Sequence, residues 1–352
     1  MSPLQPTAAA RPTIPDVAAA PRFLGEGRIG SWERTVPHPG SGELLLAVRA
    51  NAICGSERGQ YVNGSDVVPG HETAGIVVAT GEGTKTPVGT AGVVFLMDFC
   101  GTCRSCAAGA TNECLAKRAD MGFTHDGGYG PYELVHETNF FPVPPDVALA
   151  EATLLLDVMG TTGHALERAR LVTPDIRAIA VSGAGPLGMG LVVMARLLLE
   201  GSVPVVVADV QPARLDLVAR LGGRPVDLRA STLAGGLRAN DIDEVDVAID
   251  TAGKTDSRRA LIDIVAKLGV LVCVGHGEAL ELAVSPDLIA PERAILGSEY
   301  FRFDELPRNL DLLRSHRNEL APIVSARYPI AELRTAFELF MSGTTGKVVV
   351  EQ

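Results

Sequence analysis

The chain has 352 residues, a formal net charge of −11 at pH 7 and 46% hydrophobic residues. That length suggests about two domains, and the apolar content is sufficient to give each a core. The acidic balance excludes nucleic acid and anionic membrane as expected partners, and no run of about 18 uncharged apolar residues marks a transmembrane span.

In chain order, the first 22 residues are rich in Ala and Pro and predict a loose tail. They show no basic region followed by an apolar core, so a cytoplasmic setting without a secretory signal is expected. Pro37, Pro39 and Gly40 mark a turn before residues 43–50, which read as a strand. Then come Cys54, Gly55, Ser56 and Glu57, followed by Gly70, His71 and Glu72, on loops between short strands. A zinc ion accepts thiolate, imidazole and carboxylate, and three protein ligands with one open position is its catalytic arrangement. Singly, Cys54 reads as a buried thiol and His71 as a core histidine; together with the motifs below they read as a site.

Residues 76–99 predict further short strands broken at Gly81, Gly83, Pro87 and Gly89. Cys100, Cys103, Cys106 and Cys114 follow in the spacing C-x2-C-x2-C-x7-C. This is the closed four-thiolate set of a structural zinc site in a reducing compartment. Cysteines two residues apart are too cramped for easy disulfides, and no proline-terminated ferredoxin run follows. The stretch Gly127, Gly128, Tyr129, Gly130, Pro131 reads as a turn, and His125 beside it as a solvated loop residue. Pro142, Pro144 and Pro145 end this β-rich region. Asp157 comes directly after Leu154, Leu155 and Leu156. A carboxylate there either caps a helix or is desolvated against a cation, for which zinc is suitable.

From residue 176 to about 301 the pattern alternates strand and helix, which implies a parallel sheet covered on both faces. Strands are expected at 176–181, 203–208, 245–250, 271–275 and 295–301, with helices at 160–171, 189–200, 213–221 and 258–268. The first strand runs into Gly183-x-Gly185-x-x-Gly188, the dinucleotide-binding fingerprint. Gly183 permits the tight turn, Gly185 the approach of a pyrophosphate, and Gly188 close packing of helix on strand. The helix N-terminus, entered through Pro186 and Leu187, then faces the phosphates. Asp209 ends the next strand at about the 20-residue spacing of an acidic group that binds ribose hydroxyls. Arg214, Thr251 and Val274 are the further candidate cofactor contacts. Cys273 reads as core. A helical segment at 306–320, a strand near Tyr328 and a last strand at 346–350 complete the chain.

These motifs, in this order, resemble the zinc-dependent medium-chain alcohol dehydrogenases over about residues 23–352. The resemblance implies a GroES-like β-rich catalytic domain (23–158, resumed at 299–352) and a Rossmann doubly wound parallel-sheet domain (159–298), with the active site in the cleft between them. The sequence is most similar to the sorbitol, threonine and polyol dehydrogenase branch, where an acidic residue replaces a thiolate ligand. That puts Asp157 at the acidic position, with either Glu72 or Asp157 as the third ligand beside Cys54 and His71. Ser56 matches the hydroxyl that relays the substrate proton, and Glu57 the carboxylate near the zinc. Two departures stand out. A relay histidine usual in the family is Gly59 here, leaving the relay to Tyr61, ribose hydroxyls or water; and the usual Gly-Asp-Arg-Val before the cysteine loop is Gly89, Thr90, Ala91, Gly92, Val93.

The expected activity is therefore NAD-dependent oxidation of a small polar alcohol such as a polyol, sugar, amino alcohol or aminocyclitol, with two zinc ions per chain, in a homodimer or homotetramer. Asp209 favours NAD because its charge repels a 2′-phosphate. The rival readings are a zinc-free NADPH-dependent quinone or enoyl reductase, and a non-catalytic NAD-binding protein.

Overall fold

The computed structural model describes residues 13–199 and 203–352, and among them two sheets organise the chain. A six-stranded, all-parallel sheet lies between helices. Its strands run Arg224–Asp227, Val205–Asp209, Ile179–Ser182, Val245–Asp250, Val265–Cys273 and Ala294–Gly297 from edge to edge. The order reverses between Val205–Asp209 and Val245–Asp250, on either side of Ile179–Ser182. Ligands of such sheets bind at that switch point, beyond the carboxyl ends of the strands. This is the expected doubly wound Rossmann architecture.

The second sheet is built on the long strand Glu43–Ala52. Along one edge it pairs antiparallel with Glu72–Thr80. Its other edge is shared, by Tyr132–His136 against its first half and by the C-terminal strand Lys347–Glu351 against its end. Side chains of this sheet, including Val94 of the strand Ala91–Val94 and Phe140 of Phe140–Pro142, fill a barrel-like core with Leu44, Leu46, Val77 and Val135. The return of Lys347–Glu351 joins the last residues of the chain to the strand that leads into Cys54.

Several local expectations give way. The loose tail expected through residue 22 is, from Val17, a strand: Val17–Gly25 pairs with Arg28–Thr35, and Phe23 is 1% exposed. Composition misleads there because cross-strand hydrogen bonding and one buried aromatic outweigh the poor propensity of Ala and Pro; residues 1–12 lie outside the described residues. The helix expected at 258–268 is Thr255–Ile264, because Val265 already pairs with Val245. The strand expected to reach residue 301 stops at Gly297, and Tyr300 takes a left-handed φ of 44°. Arg224–Asp227 was not expected as a strand, since it contains Pro225; it sits at the sheet edge, where a missing N–H is tolerated.

Candidate active site

Four buried or half-buried donors converge beyond the end of the strand Glu43–Ala52. Cys54 follows the strand Glu43–Ala52 and enters the turn Gly55–Glu57. His71 and Glu72 stand at the start of Glu72–Thr80, after Gly70, whose φ of 103° only glycine adopts freely. Asp157 opens a single wide helical turn, Asp157–Thr161, on the other side. One ligand atom from each of Cys54, His71, Glu72 and Asp157 lies within 4.8 Å of all the others. Asp157 Oδ2 is 3.1 Å from Cys54 Sγ and 3.5 Å from His71 Nε2. Its Oδ1 accepts a 3.0 Å hydrogen bond from Thr161, which fixes the carboxylate plane.

Behind the cluster, His71 Nδ1 lies 2.9 Å from Glu57 Oε1, a short but not linear approach. Glu57 Oε2 accepts from Tyr129 Oη at 2.7 Å. The other ring nitrogen, His71 Nε2, faces Asp157. Glu72 Oε1 accepts from the buried Lys347 amine, while Glu72 Oε2 is buried with no hydrogen-bond partner among the described residues.

The charges are mutually strained. Burial pushes the Cys54 thiol up, and Asp157 adds to the rise. Burial pushes Glu72 up to about 8 against the pull of Lys347. Burial opposes ionisation of Asp157 as well, yet contact with His71 holds its carboxyl well below the ordinary range. Thiolate, imidazole and two carboxylates, one with an orphaned oxygen, fit a divalent cation of zinc's preferences.

The cysteine loop forms a second cluster. Cys103 Sγ lies 3.5 Å from Cys106 Sγ and 4.0 Å from Cys114 Sγ. Four thiolates at about 2.3 Å from a tetrahedral zinc stand about 3.8 Å apart, so this set fits the metal too. Backbone N–H groups of Thr102 and Cys103 donate to Cys100 Sγ, and that of Thr102 leads in lowering its thiol to about 6. The loop is tied to the end of the parallel sheet: Asn112 donates to the Glu299 carbonyl at 2.8 Å, and Arg302 to that of Gly109 at 2.9 Å.

At the switch point, a Cβ on Gly183 (φ 101°) would meet Thr251 Oγ1 at 2.6 Å, and one on Gly188 the Gly183 carbonyl at 2.0 Å. Both positions therefore demand glycine. Gly185 caps the helix Pro186–Leu198 without a side-chain hydrogen bond, leaving the first N–H groups available to an anion. Leu187 lies in the first turn of that helix. Asp209 stands against the glycine turn before that helix, accepting from Ala184 N at 2.7 Å and Gln211 N at 2.9 Å. Arg214 is half-buried and donates to the Thr345 carbonyl, with its Nη1 4.0 Å from where a Gly185 Cβ would sit. Thr251 spends its hydroxyl on the Ser182 and Gly183 carbonyls, and Val274 packs on the core just past the neighbouring strand.

Ser56 is exposed beside Cys54, and a Cβ at Gly59 would meet nothing within 4 Å. Tyr61 is not turned toward Ser56: it stacks on Phe337 at 5.0 Å with its hydroxyl against Gly27, so the relay expected of it has no geometry here. His125 is an exposed loop residue, and Cys273 a half-buried one packed on the sheet core. Sequence reasoning missed Lys347, Tyr129 and Phe123, the last with its ring 5.2 Å from that of His71. A lysine opening an apolar strand was the one signal available.

A family model for the alcohol dehydrogenase GroES-like domain matches residues 40–145, and one for a zinc-binding dehydrogenase matches residues 222–350. L-threonine 3-dehydrogenase from Rhizobium etli is 30% identical over 345 residues, spanning 93% of this chain and 96% of its own. Among solved structures, an alcohol dehydrogenase from a Thermus species has a TM-score of 0.86 at 25% identity, covering 95% of this chain and 100% of the other. A protein from Sinorhizobium meliloti, named as a zinc-binding dehydrogenase and bound to NADP, has a TM-score of 0.80 at 26% identity, covering 95% and 99%.

Proposed function

We propose, given that the chain belongs to the zinc-dependent medium-chain alcohol dehydrogenase family, that it oxidises a secondary alcohol of a small polar substrate to a ketone with NAD. The observation that carries this reading is the convergence of Cys54, His71, Glu72 and Asp157 within 4.8 Å. When bound, zinc and NAD would supply Lewis-acid polarisation of the substrate hydroxyl and an acceptor for its hydride.

Cys54, His71 and Asp157 are the three residues that would hold the metal. Asp157 is favoured over Glu72 as the third donor because its Oδ2 already faces both Cys54 and His71, whereas Glu72 is held by Lys347. Glu72 is then the neighbour able to exchange with it. Ser56, exposed next to Cys54, is the group that takes the substrate's hydroxyl proton and passes it to solvent. With Gly59 in place of a histidine, that proton leaves through water or the cofactor's ribose.

Gly183, Gly185 and Gly188, with the N-terminus of Pro186–Leu198, form the cradle for the pyrophosphate, and Asp209 the partner of the ribose hydroxyls. Asp209 carries the choice of NAD, since its carboxylate would face a 2′-phosphate. The Sinorhizobium meliloti protein bound to NADP makes that choice worth testing directly. The acidic metal donor and the threonine dehydrogenase relatives support a polar substrate: a polyol, sugar, amino alcohol or aminocyclitol.

The test is reduced-cofactor formation by the zinc-replete enzyme across polyols, sugars, amino sugars and L-threonine, with NAD and NADP in parallel. A polar secondary alcohol turned over with NAD is the expected result. Turnover of no alcohol, or reduction of quinones or enones with NADPH alone, would overturn the reading.

A further inference from the structure

The turn Gly127, Gly128, Tyr129 has no part in the chemistry above, yet it lies against the segment that carries His71. Three backbone hydrogen bonds join the two: Gly127 N to the Val68 carbonyl at 2.7 Å, Tyr129 N to that of Pro69 at 3.1 Å, and Gly128 N to that of Gly70 at 2.9 Å. The approach is so close that a Cβ on Gly127 would lie 2.0 Å from the Gly70 carbonyl oxygen, and one on Gly128 2.0 Å from Thr73 Oγ1. The two glycines are therefore required for the turn to dock where it does.

What docking delivers is the Tyr129 side chain. It is 0% exposed, as is Glu57. Its ring stacks on Phe23 at 6.0 Å and meets Phe337 edge-on at 5.6 Å, so packing from the N-terminal hairpin and the helix Leu333–Met341 fixes its direction. Its hydroxyl donates to Glu57 Oε2 at 2.7 Å. Burial, with the Glu57 charge beside it, holds the phenol well above its ordinary value, so it stays a donor.

We propose that Tyr129 is a positioning residue of the metal centre: its hydroxyl fixes the Glu57 carboxylate, which orients the His71 imidazole and so sets how tightly the Cys54–His71–Asp157 site retains its metal. The proposal rests on the reading of that site as a zinc site. The physical basis is general. Partners behind a metal-bound histidine fix its ring orientation and ligand strength, and their loss typically lowers metal affinity by about 10–100-fold. Glu57 is such a partner, and Tyr129 is the side-chain donor that keeps its carboxylate from rotating.

The experiment is zinc release from the holoenzyme to a chromogenic chelator, comparing wild type, Tyr129→Phe, Glu57→Gln and the double variant. Phenylalanine keeps the ring packing against Phe23 and Phe337 and removes only the hydroxyl. The expected result is two zinc equivalents in the wild type, and release of one of them about 10-fold faster in Tyr129→Phe, with the cysteine-loop equivalent unchanged as an internal control. In the Glu57→Gln background the Tyr129→Phe change should add little, because the hydroxyl acts through that carboxylate. Two equivalents in the wild type with identical release from Tyr129→Phe, or an additive effect in the double variant, would overturn this proposal alone. A wild type that binds only the cysteine-loop equivalent would overturn the catalytic reading and this proposal with it. Should Tyr129→Phe prove too unstable to purify, Glu57→Gln decides by itself: unchanged release would sink the linkage on which Tyr129 depends.

Discussion

Glu133 occupies an inward position of the strand Tyr132–His136, is 1% exposed, and among the described residues has no hydrogen-bond partner for either carboxylate oxygen. Burial pushes its carboxyl up to about 8. An unfolded glutamate titrates near 4.3, so between about pH 4.3 and 8 the unfolded chain has lost a proton that the folded chain keeps. Stability from this group therefore falls as pH rises through that window. Glu133→Gln removes the dependence. Its stability relative to wild type is expected to grow with pH by up to about 1.4 kcal/mol per unit, read as the difference in urea midpoints from pH 5 to 8; a difference that stays flat would contradict the assignment. Ser56 carries a separate prediction. Ser56→Ala should lower kcat by about 100-fold while leaving zinc content intact, and an unchanged kcat would remove it from the proton path.

The donors most legible in the sequence were those that break a rule. Asp157 after three leucines and four clustered cysteines have few structural excuses. Lys347 breaks the same rule, as a lysine 1% exposed in a strand, but its partner Glu72 is 275 residues away. No local pattern says which acid it meets. Tyr129 was seen only as part of a glycine-rich turn, because its role depends on where that turn docks.

Among the elements, the glycine turn and its helix were readable because Gly183 and Gly188 each answer a specific steric demand, and the closer contact, at Gly188, is a backbone oxygen that no rotamer can move. Boundaries were less readable. Ala and Pro suggested a tail where Val17–Gly25 pairs, and Pro225 hid an edge strand, because pairing partners lie outside any local window. At this scale the proposed role of Asp209 in cofactor choice carries a prediction: Asp209→Ala is expected to raise the KM for NAD and to lower the preference for NAD over NADP by about tenfold, or about 1.4 kcal/mol. Equal preference before and after would move the specificity elsewhere. The cysteine loop carries a stability prediction. Cys103→Ser should cost one zinc equivalent and lower the thermal midpoint while the other zinc remains, since the loop holds residues 299–303 through Asn112 and Arg302 and does not touch Cys54. Loss of both metals would contradict that separation.

At the scale of the molecule, the site is assembled from parts distant in the chain. Cys54 and His71 come from the first β-rich segment, Asp157 from the turn before the parallel sheet, and Lys347 from the last strand, which reaches Glu72 only because Lys347–Glu351 pairs with Glu43–Ala52. Fold class could be read from the order of motifs; which carboxylate faces the Cys54 thiol could not, because Asp157 lies 103 residues further along the chain and no local pattern pairs them. The account stands on Cys54, His71 and Asp157 acting through one metal. The most direct measurement is zinc stoichiometry together with NAD-dependent alcohol oxidation for the wild type and Cys54→Ala. The account predicts two zinc equivalents and turnover in the wild type, and in Cys54→Ala one equivalent, a folded chain and oxidation reduced by at least about 1,000-fold, or about 4 kcal/mol of barrier. Full activity in Cys54→Ala would contradict it.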